Sequence, residues 1–466
     1  MATVKNIDWP ASNTETSGEQ IAEMVKMMKD LKAAGINTVI FQVRTECDAL
    51  YDSPYEPWSY WLTGKQGRAP EPYYDPLAFA VSEAHKLGME LHAWFNPYRA
   101  VRKIGDYEQA ANHVSVTHPD WIITSGTGQI LNPGIPAVRH YIAKIIGDVV
   151  RRYDVDGIHF DDYFYPYTPL TNQDSLTYLK YKGSFTNIDD WRRNNINQMV
   201  AEVYDTINTV NPHVKFGISP FGIVENKYAG TNGFESYKKI YCDPLNWLEH
   251  KTVDYITPQI YWEIGFDKAD YAKLLPWWST VTNGRQLYIG LFSSKMAASD
   301  YKGDRDMIEK QMRMNRKTPN VRGEVFFSAK SISNEYSNLA DTLKYGFYKY
   351  PALIPTMPWK DNVPPLPPTD LKITIDSAGT HLYWNKPAAA ADGDTAYEYV
   401  IYRIMGGSGE YINNPENILA IISGGDNNYV DTSAIEGISY EYIVSSLDRL
   451  HNESKNNPAA VKLRDN

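Results

Sequence analysis

Apolar residues recur along the first 350 positions in two alternating rhythms. Short β-branched runs stand at residues 38–43, 90–95, 157–161, 215–219, 255–261, 287–292 and 324–328. A partial run at 3–7 makes eight. Between them, apolar residues take helical spacing: Ile21, Met24, Val25, Met28 and Leu31; then Val138, Ile142, Ile145, Ile146 and Val149; then Ile196, Met199, Val200, Val203 and Ile207. Several runs are apolar on both faces, the mark of a parallel sheet buried under helices. Eight such units in ~350 residues predict a (β/α)8 TIM barrel of the α/β class. No Gly-rich turn follows any run, which counts against an open dinucleotide-binding sheet.

The rhythm changes after a proline-rich stretch at 351–368, which reads as a stiff linker. Beyond it the apolar period is two: Leu371, Ile373 and Ile375; Leu382 and Trp384; Tyr397, Tyr399 and Ile401; Tyr440, Tyr442 and Val444. Short alternating strands separated by Gly, Asn and Asp predict an all-β sandwich. Pro367-Pro368-Thr369-Asp370-Leu371, Leu382-Tyr383-Trp384, and Tyr440 to Asp448 followed by Asn452-Glu453-Ser454 resemble a fibronectin type III domain over residues 364–464. That resemblance implies a spacer or binding module. The expected organisation is a barrel over 1–355, then linker and C-terminal sandwich over 356–466.

Charge narrows the partners. The 46 basic and 56 acidic side chains leave −10, which argues against a nucleic-acid backbone and against a polybasic membrane patch. No apolar run is long enough to span a bilayer. Two cysteines, Cys47 and Cys242, exclude a disulfide framework and a cysteine zinc site and allow one bridge at most. Aromatics make up 13 % of the chain, with 35 Tyr and 12 Trp. Their flat faces suit stacking on sugar rings and equally suit packing a barrel and a β-rich appendage. The chain opens as if in mid-strand, so a targeting segment is expected to have been removed.

In a barrel, chemistry gathers at the C-terminal strand ends. There the sequence reads Gln42-Val43-Arg44-Thr45-Glu46-Cys47-Asp48, His92 to Arg99, His159-Phe160-Asp161-Asp162-Tyr163, Ser219-Pro220-Phe221-Gly222 and Pro258-Gln259-Ile260-Tyr261-Trp262-Glu263. Alternation along the strand sends His159 and Asp161 to the barrel axis if Ile158 and Phe160 face the helices. An axial carboxylate at a strand end is a natural nucleophile or charge stabiliser for glycosyl transfer. The alternative is an Asp161 that only caps a helix or pairs with Arg44 or Arg99. Asp162 is expected to point outward unless a bulge re-aims it. His159 is expected to brace Asp161, and His92 to donate within the lumen. Metal and cofactor chemistry are not expected. The ends of runs one, five and six lack the histidines of barrel metallohydrolases, run six lacks a lysine nucleophile, and no phosphate cradle follows runs seven and eight.

The chain also resembles the glycosyl hydrolase-like 10 family. The motifs are Asn6-Ile7-Asp8-Trp9-Pro10, Gln42-Val43-Arg44, Asp48-Ala49-Leu50-Tyr51, Pro57-Trp58-Ser59, Trp94 to Arg99, Leu131-Asn132-Pro133-Gly134, Asp156 to Tyr163, Ser219 to Gly222 and Pro258 to Trp262. The resemblance covers residues 3–345. It implies a secreted or cell-envelope (β/α)8 hydrolase, and some members cleave peptidoglycan strands that have lost their stem peptides. Chitinase-like barrels place their acid where this chain has Tyr163, so the proton must come from elsewhere: Asp162, Glu263, Asp48 or Glu46.

The reading is a glycoside hydrolase acting on an amino-sugar-containing polysaccharide. Its expected catalytic residues are Asp161, Asp162 and Glu263. The expected sugar contacts are Arg44, Asp48, Trp94, Asn96, Tyr98, Arg99, Tyr163, Gln259, Tyr261 and Trp262. A barrel that binds carbohydrate without turnover is the alternative. Arg44 and Arg99 would bind sugar carboxylates as forks, unless Asp48, Asp161 or Asp162 occupies them. The long segment 52–74 carries Tyr55, Trp58, Tyr60, Trp61, Tyr73 and Tyr74, which would either stack on sugars or pack the loop onto the barrel.

Overall fold

The computed structural model describes residues 1–332, 338–405, 414–435, 437–454 and 459–462. Seven strands, Thr38–Arg44, Glu90–Phe95, Gly157–Phe160, Lys215–Ile218, Tyr255–Ile256, Gln286–Leu291 and Val321–Phe326, pair in chain order. Every pairing is parallel, and helices separate the strands, as a (β/α)8 barrel requires. The apolar stripes do the packing. Met24, Met28 and Leu31 are buried on Ser17–Ala33, and Ile142, Ile145, Ile146 and Val149 on Pro136–Arg152. Ile196, Met199, Val200, Val203 and Ile207 are buried on Ile188–Val210.

Residues 3–7 are not the eighth strand. Val4–Asn6 is a 3-10 turn, with Lys5 and Asn6 at positive φ. Residues 1–3 instead lie along the first strand. The Gln42 amide N–H donates to the Met1 carbonyl at 3.0 Å, and Thr3 Oγ1 donates to the Gln42 carbonyl at 2.8 Å. The buried Asp8 carboxylate then joins this segment to the end of the last strand. It accepts from Ala2 N at 2.7 Å, Ser328 Oγ at 2.6 Å and Lys330 N at 2.9 Å. Side-chain hydrogen bonds thus do at the seam what a ladder does elsewhere. The run 255–261 yields a two-residue strand because Pro258 has no N–H to donate. Pairing resumes at Gln259, bridged to Phe221 and Gly290.

A second compact unit comprises residues 34–37, 85–89 and 343–466. It holds two antiparallel sheets. One has Thr369–Asp376, Gly379–Asn385 and Asn428–Asp431 in that order; the other has Ile418–Ser423, Glu398–Met405, Tyr440–Leu447 and Ala459–Lys462. Leu371, Leu382, Trp384, Tyr399, Ile401, Tyr440, Tyr442 and Val444 form its core. Ile375 departs from the expected pattern and is 65 % exposed. Parts of the expected sandwich, 406–413, 436, 455–458 and 463–466, lie outside the described residues. Cys47 and Cys242 are buried free thiols, so no bridge joins them.

Candidate active site

Register assembles the site. Phe95, Phe160 and Ile218 are paired at the ends of three adjacent strands, so the next residues, Asn96, Asp161 and Ser219, form one layer on the rim. The ladder continues to them, with Asn96 N donating to the Arg44 carbonyl at 3.0 Å and Ser219 N to the Phe160 carbonyl at 2.8 Å.

Asp161 lies in this layer and is only 6 % exposed. Its Oδ2 accepts from Trp94 Nε1 at 3.0 Å and Asn96 Nδ2 at 3.2 Å, and its Oδ1 from Tyr163 N at 3.1 Å. Asn96 Oδ1 accepts from Arg99 N at 2.9 Å, which fixes the orientation of that amide. Burial pushes the Asp161 carboxyl up to about 7, against the opposing pull of the Arg99 charge. Asp162 does not point away. The strand ends at Phe160, so strict alternation no longer binds the following residues, and the carboxyl turns back to the rim. Its Oδ1 accepts from Gln259 Nε2 at 3.0 Å, and its Oδ2 from the Tyr167 hydroxyl. Burial raises this carboxyl as well.

Aromatic rings run in two arcs. Tyr163, Tyr167, Phe234, Phe221 and Trp262 succeed one another at centroid spacings of 5.1, 5.7, 5.2 and 5.5 Å. Tyr261, Phe292 and Phe327 form the second, at 5.2 and 5.9 Å. The charges of Asp162 and Asp161 add to burial in raising the Tyr261 hydroxyl, so both arcs adjoin the carboxyl pair. The Arg99 guanidinium lies 4.8 Å from the Tyr163 ring centre, and its Nε donates to the Thr45 carbonyl at 3.0 Å.

Several expected residues serve the scaffold instead. Arg44 is 1 % exposed. It forms a two-bond fork with Glu56 at 2.7 and 2.6 Å and donates to the Asn96 and Pro97 carbonyls at 2.6 and 3.1 Å. A guanidinium so occupied has no face for a sugar. Asp48 is wholly buried and accepts from Thr45 N, Thr45 Oγ1 and Glu46 N, closing a tight turn. Glu46 is buried and accepts from Trp61 Nε1 and the Tyr107 hydroxyl, both at 2.9 Å. Tyr98 is fully buried. Glu263 pairs with Lys295 at 2.7 Å and Tyr301 at 2.9 Å. Those partners hold it below the usual carboxylate range, the opposite of what a proton donor needs. His159 does not brace Asp161; its ring nitrogens go to the hydroxyls of Tyr255 and Ser219.

The loop aromatics largely pack the loop. Tyr60 stacks on Tyr107 at 4.1 Å, Trp58 meets Tyr73 edge-on at 6.2 Å, and Tyr74 donates to Gln20 at 2.7 Å. Glu56, Tyr167 and Ser219 are the residues that sequence reasoning passed over. Glu56 and Tyr167 sit in irregular loops where no period marks them. Ser219 was on the rim, and its position after a strand end was the available signal.

Comparison with known proteins agrees with this architecture. The family model described as Glycosyl hydrolase-like 10 matches residues 1–308. The glycosyl hydrolase YngK of Bacillus subtilis is 40 % identical over 479 residues, spanning 99 % of this chain and 92 % of that protein. The glycosyl hydrolase DigH of Escherichia coli K12 is 39 % identical over 358 residues, spanning 70 % of this chain and 81 % of its own. Among solved structures, the PgaB (BpsB) glycoside hydrolase domain from Bordetella bronchiseptica covers 70 % of this chain and 93 % of its own. Its TM-score is 0.50 at 11 % identity, a likeness of fold. With a rim carboxyl pair, a barrel and relatives of this kind, the chain belongs to the Glycosyl hydrolase-like 10 family and is a glycoside hydrolase.

Proposed function

We propose that the protein cleaves glycosidic bonds in an amino-sugar-containing polysaccharide, and that its substrate is peptidoglycan glycan freed of stem peptides, met outside the cytoplasm. The observation that carries the reading is the buried Asp161–Asp162 pair beside two aromatic arcs. Burial raises the Asp161 carboxyl, and the Asp162 charge adds to it. With Asp161 at about 7, a fraction of the molecules still carries its proton at neutral pH. Asp161 gives its proton to the glycosidic oxygen as the bond to the anomeric carbon breaks, and Asp162 is the anion that stabilises the positive charge developing there. Water then adds to that carbon and returns a proton to Asp161. This exchanges the roles expected from alternation alone: burial raises both carboxyls, and at Asp162 the hydrogen bonds from Tyr167 and Gln259 oppose it in favour of the anion. The rings of Tyr163, Tyr261 and Trp262 supply faces for sugars.

Arg99 carries the substrate choice. It is half-buried, lies over Tyr163 and acts electrostatically on Asp161. Peptide-free strands bear lactyl carboxylates, whereas chitin oligomers bear none. Purified glycan strands with and without stem peptides, and chitin oligomers, should be incubated with the protein and the products weighed by mass spectrometry. Cleavage of peptide-free strands in preference to chitin is expected; equal cleavage of both removes the anionic-substrate reading. Arg99→Gln, tested by calorimetry in an Asp161→Asn background, should weaken binding of the anionic strand by about tenfold. Affinity for a neutral oligomer should not change.

A further inference from the structure

Below the carboxyl pair runs a chain of hydrogen bonds that glycosidic cleavage does not by itself require. Lys215 Nζ donates to Glu90 Oε1. Glu90 Oε2 lies 3.1 Å from His92 Nε2, His92 Nδ1 lies 2.7 Å from the Tyr255 hydroxyl, and that hydroxyl lies 2.9 Å from His159 Nδ1. His159 Nε2 then meets Ser219 Oγ. Lys215, Glu90, His92, Tyr255 and His159 are all buried, and Ser219 alone is partly exposed. Two glycines make room for the chain. A Cβ on Gly157 would lie 2.6 Å from His92 Nδ1, and one on Gly217 would lie 2.1 Å from Tyr255 Cζ.

The inner end sets the direction. An ammonium only donates and a carboxylate only accepts. His92 Nε2, facing Glu90, therefore carries a hydrogen. The Lys215 ammonium already balances the Glu90 charge, so His92 is taken as a neutral imidazole with one donor and one acceptor nitrogen, and His92 Nδ1 then accepts from the Tyr255 hydroxyl. The Tyr255 oxygen in turn accepts from His159 Nδ1–H. His159 Nε2 is then an acceptor, and Ser219 must donate to it. Burial depresses the basicity of His159, in keeping with a neutral ring. The Ser219 proton is committed inward and its lone pairs face the rim. Beside it, Gln259 Nε2 is already engaged, donating to the Ser219 carbonyl at 2.9 Å and to Asp162 at 3.0 Å.

We infer that Ser219 is a substrate-binding residue, held as a hydrogen-bond acceptor by the relay through His159, Tyr255, His92 and Glu90, and that it takes a donor group, a hydroxyl or an acylamino N–H, from the sugar beside Asp161 and Asp162. This rests on the glycoside reading for its ligand, but the direction of the relay does not. Tyr255 and the two histidines are positioning residues that act through Ser219.

Neutron diffraction from crystals of the full chain at pH 7 tests the direction without substrate. Deuterium is expected on His159 Nδ1 and His92 Nε2; deuterium on His159 Nε2 overturns the inference. Kinetics on peptide-free strands test the contact, with calorimetric affinity for the same strands as the readout if turnover is absent. Ser219→Ala and Tyr255→Phe should each lower kcat/KM, or affinity, about tenfold. The double variant should be no worse than Ser219→Ala, because both changes remove one interaction. Ser219→Thr, which keeps the hydroxyl, should recover most of the loss, as repair of a packing defect would not. Wild-type behaviour of Ser219→Ala, or additive losses, overturns the contact. Failure to cleave any glycan would count against the function proposed above while leaving the proton positions and affinities to judge this inference.

Discussion

Asp161→Asn should remove most turnover and at the same time make the protein more resistant to heat above neutral pH. An amide keeps the volume and, with its oxygen toward Trp94 and Asn96, those two bonds, but its NH2 cannot accept from Tyr163 N and cannot deliver a proton. Loss of a general acid costs ~10²–10⁴-fold in rate. The stability gain follows from burial. An unfolded Asp ionises near ~3.9, whereas Asp161 is pushed up to about 7. Between those values the folded chain holds a proton that the unfolded chain has released, so stability falls as pH rises through that window. The deficit is complete above pH ~7. A gap of about three pH units at ~1.4 kcal/mol each caps the gain at ~4 kcal/mol, a shift of a few degrees in melting temperature for a barrel of this size. Melting curves at pH 4 and pH 8 check it, with the variant's advantage expected only at pH 8. A variant less stable than wild type at pH 8 would make Asp161 a structural anchor. The wild-type kcat/KM should also decline on the alkaline side with a midpoint near 7, as Asp161 loses its proton, and on the acid side as Asp162 gains one.

Glu56→Ala should be among the most damaging single changes in the barrel, although Glu56 touches neither Asp161 nor Asp162 in the described structure. It would leave the Arg44 guanidinium buried with its fork empty. Removing one partner of a buried ion pair costs ~3–5 kcal/mol. Arg44 also holds the carbonyls of Asn96 and Pro97, and Asn96 donates to Asp161, so activity should fall with stability. Replacing both partners, Arg44→Met with Glu56→Leu, should return most of the stability, because no uncompensated charge then remains. Thermal melts of the three variants distinguish this from a substrate-binding Arg44. In that case the change would move KM and leave the melting temperature alone.

The difference between these two arginines shows where sequence reading stops. Arg44 ends one strand and Arg99 closely follows the end of the next, both sit among polar residues, and both matched a family motif. Nothing local says that Glu56, twelve residues on in an irregular loop, folds over Arg44 and takes its fork. Nothing local says that Arg99 lies over Tyr163. Asp162 was misdirected for a related reason. Alternation is a rule of the pleat, and it lapses where the ladder ends, one residue after Phe160. Glu263 was a fair candidate by position, but Lys295 and Tyr301, both distant in sequence, decide its charge.

The chain's own pattern determined what depends on neighbours in sequence. Helical spacing of apolar residues named the barrel helices, β-branched runs named seven strands, and the switch to period two marked the β-rich segment. Motifs at strand ends then put Asp161 on the rim. Tertiary structure decided what depends on partners brought from afar: the seam closed by Asp8, the occupied Arg44, the acidity of Asp161 and the direction of the Ser219 hydroxyl. The physical reason is the range of the forces. Periodic burial is written locally, every two or 3.6 residues. The charge state and orientation of a buried polar group depend on desolvation and on hydrogen-bond partners that only the closed barrel brings within about 3 Å.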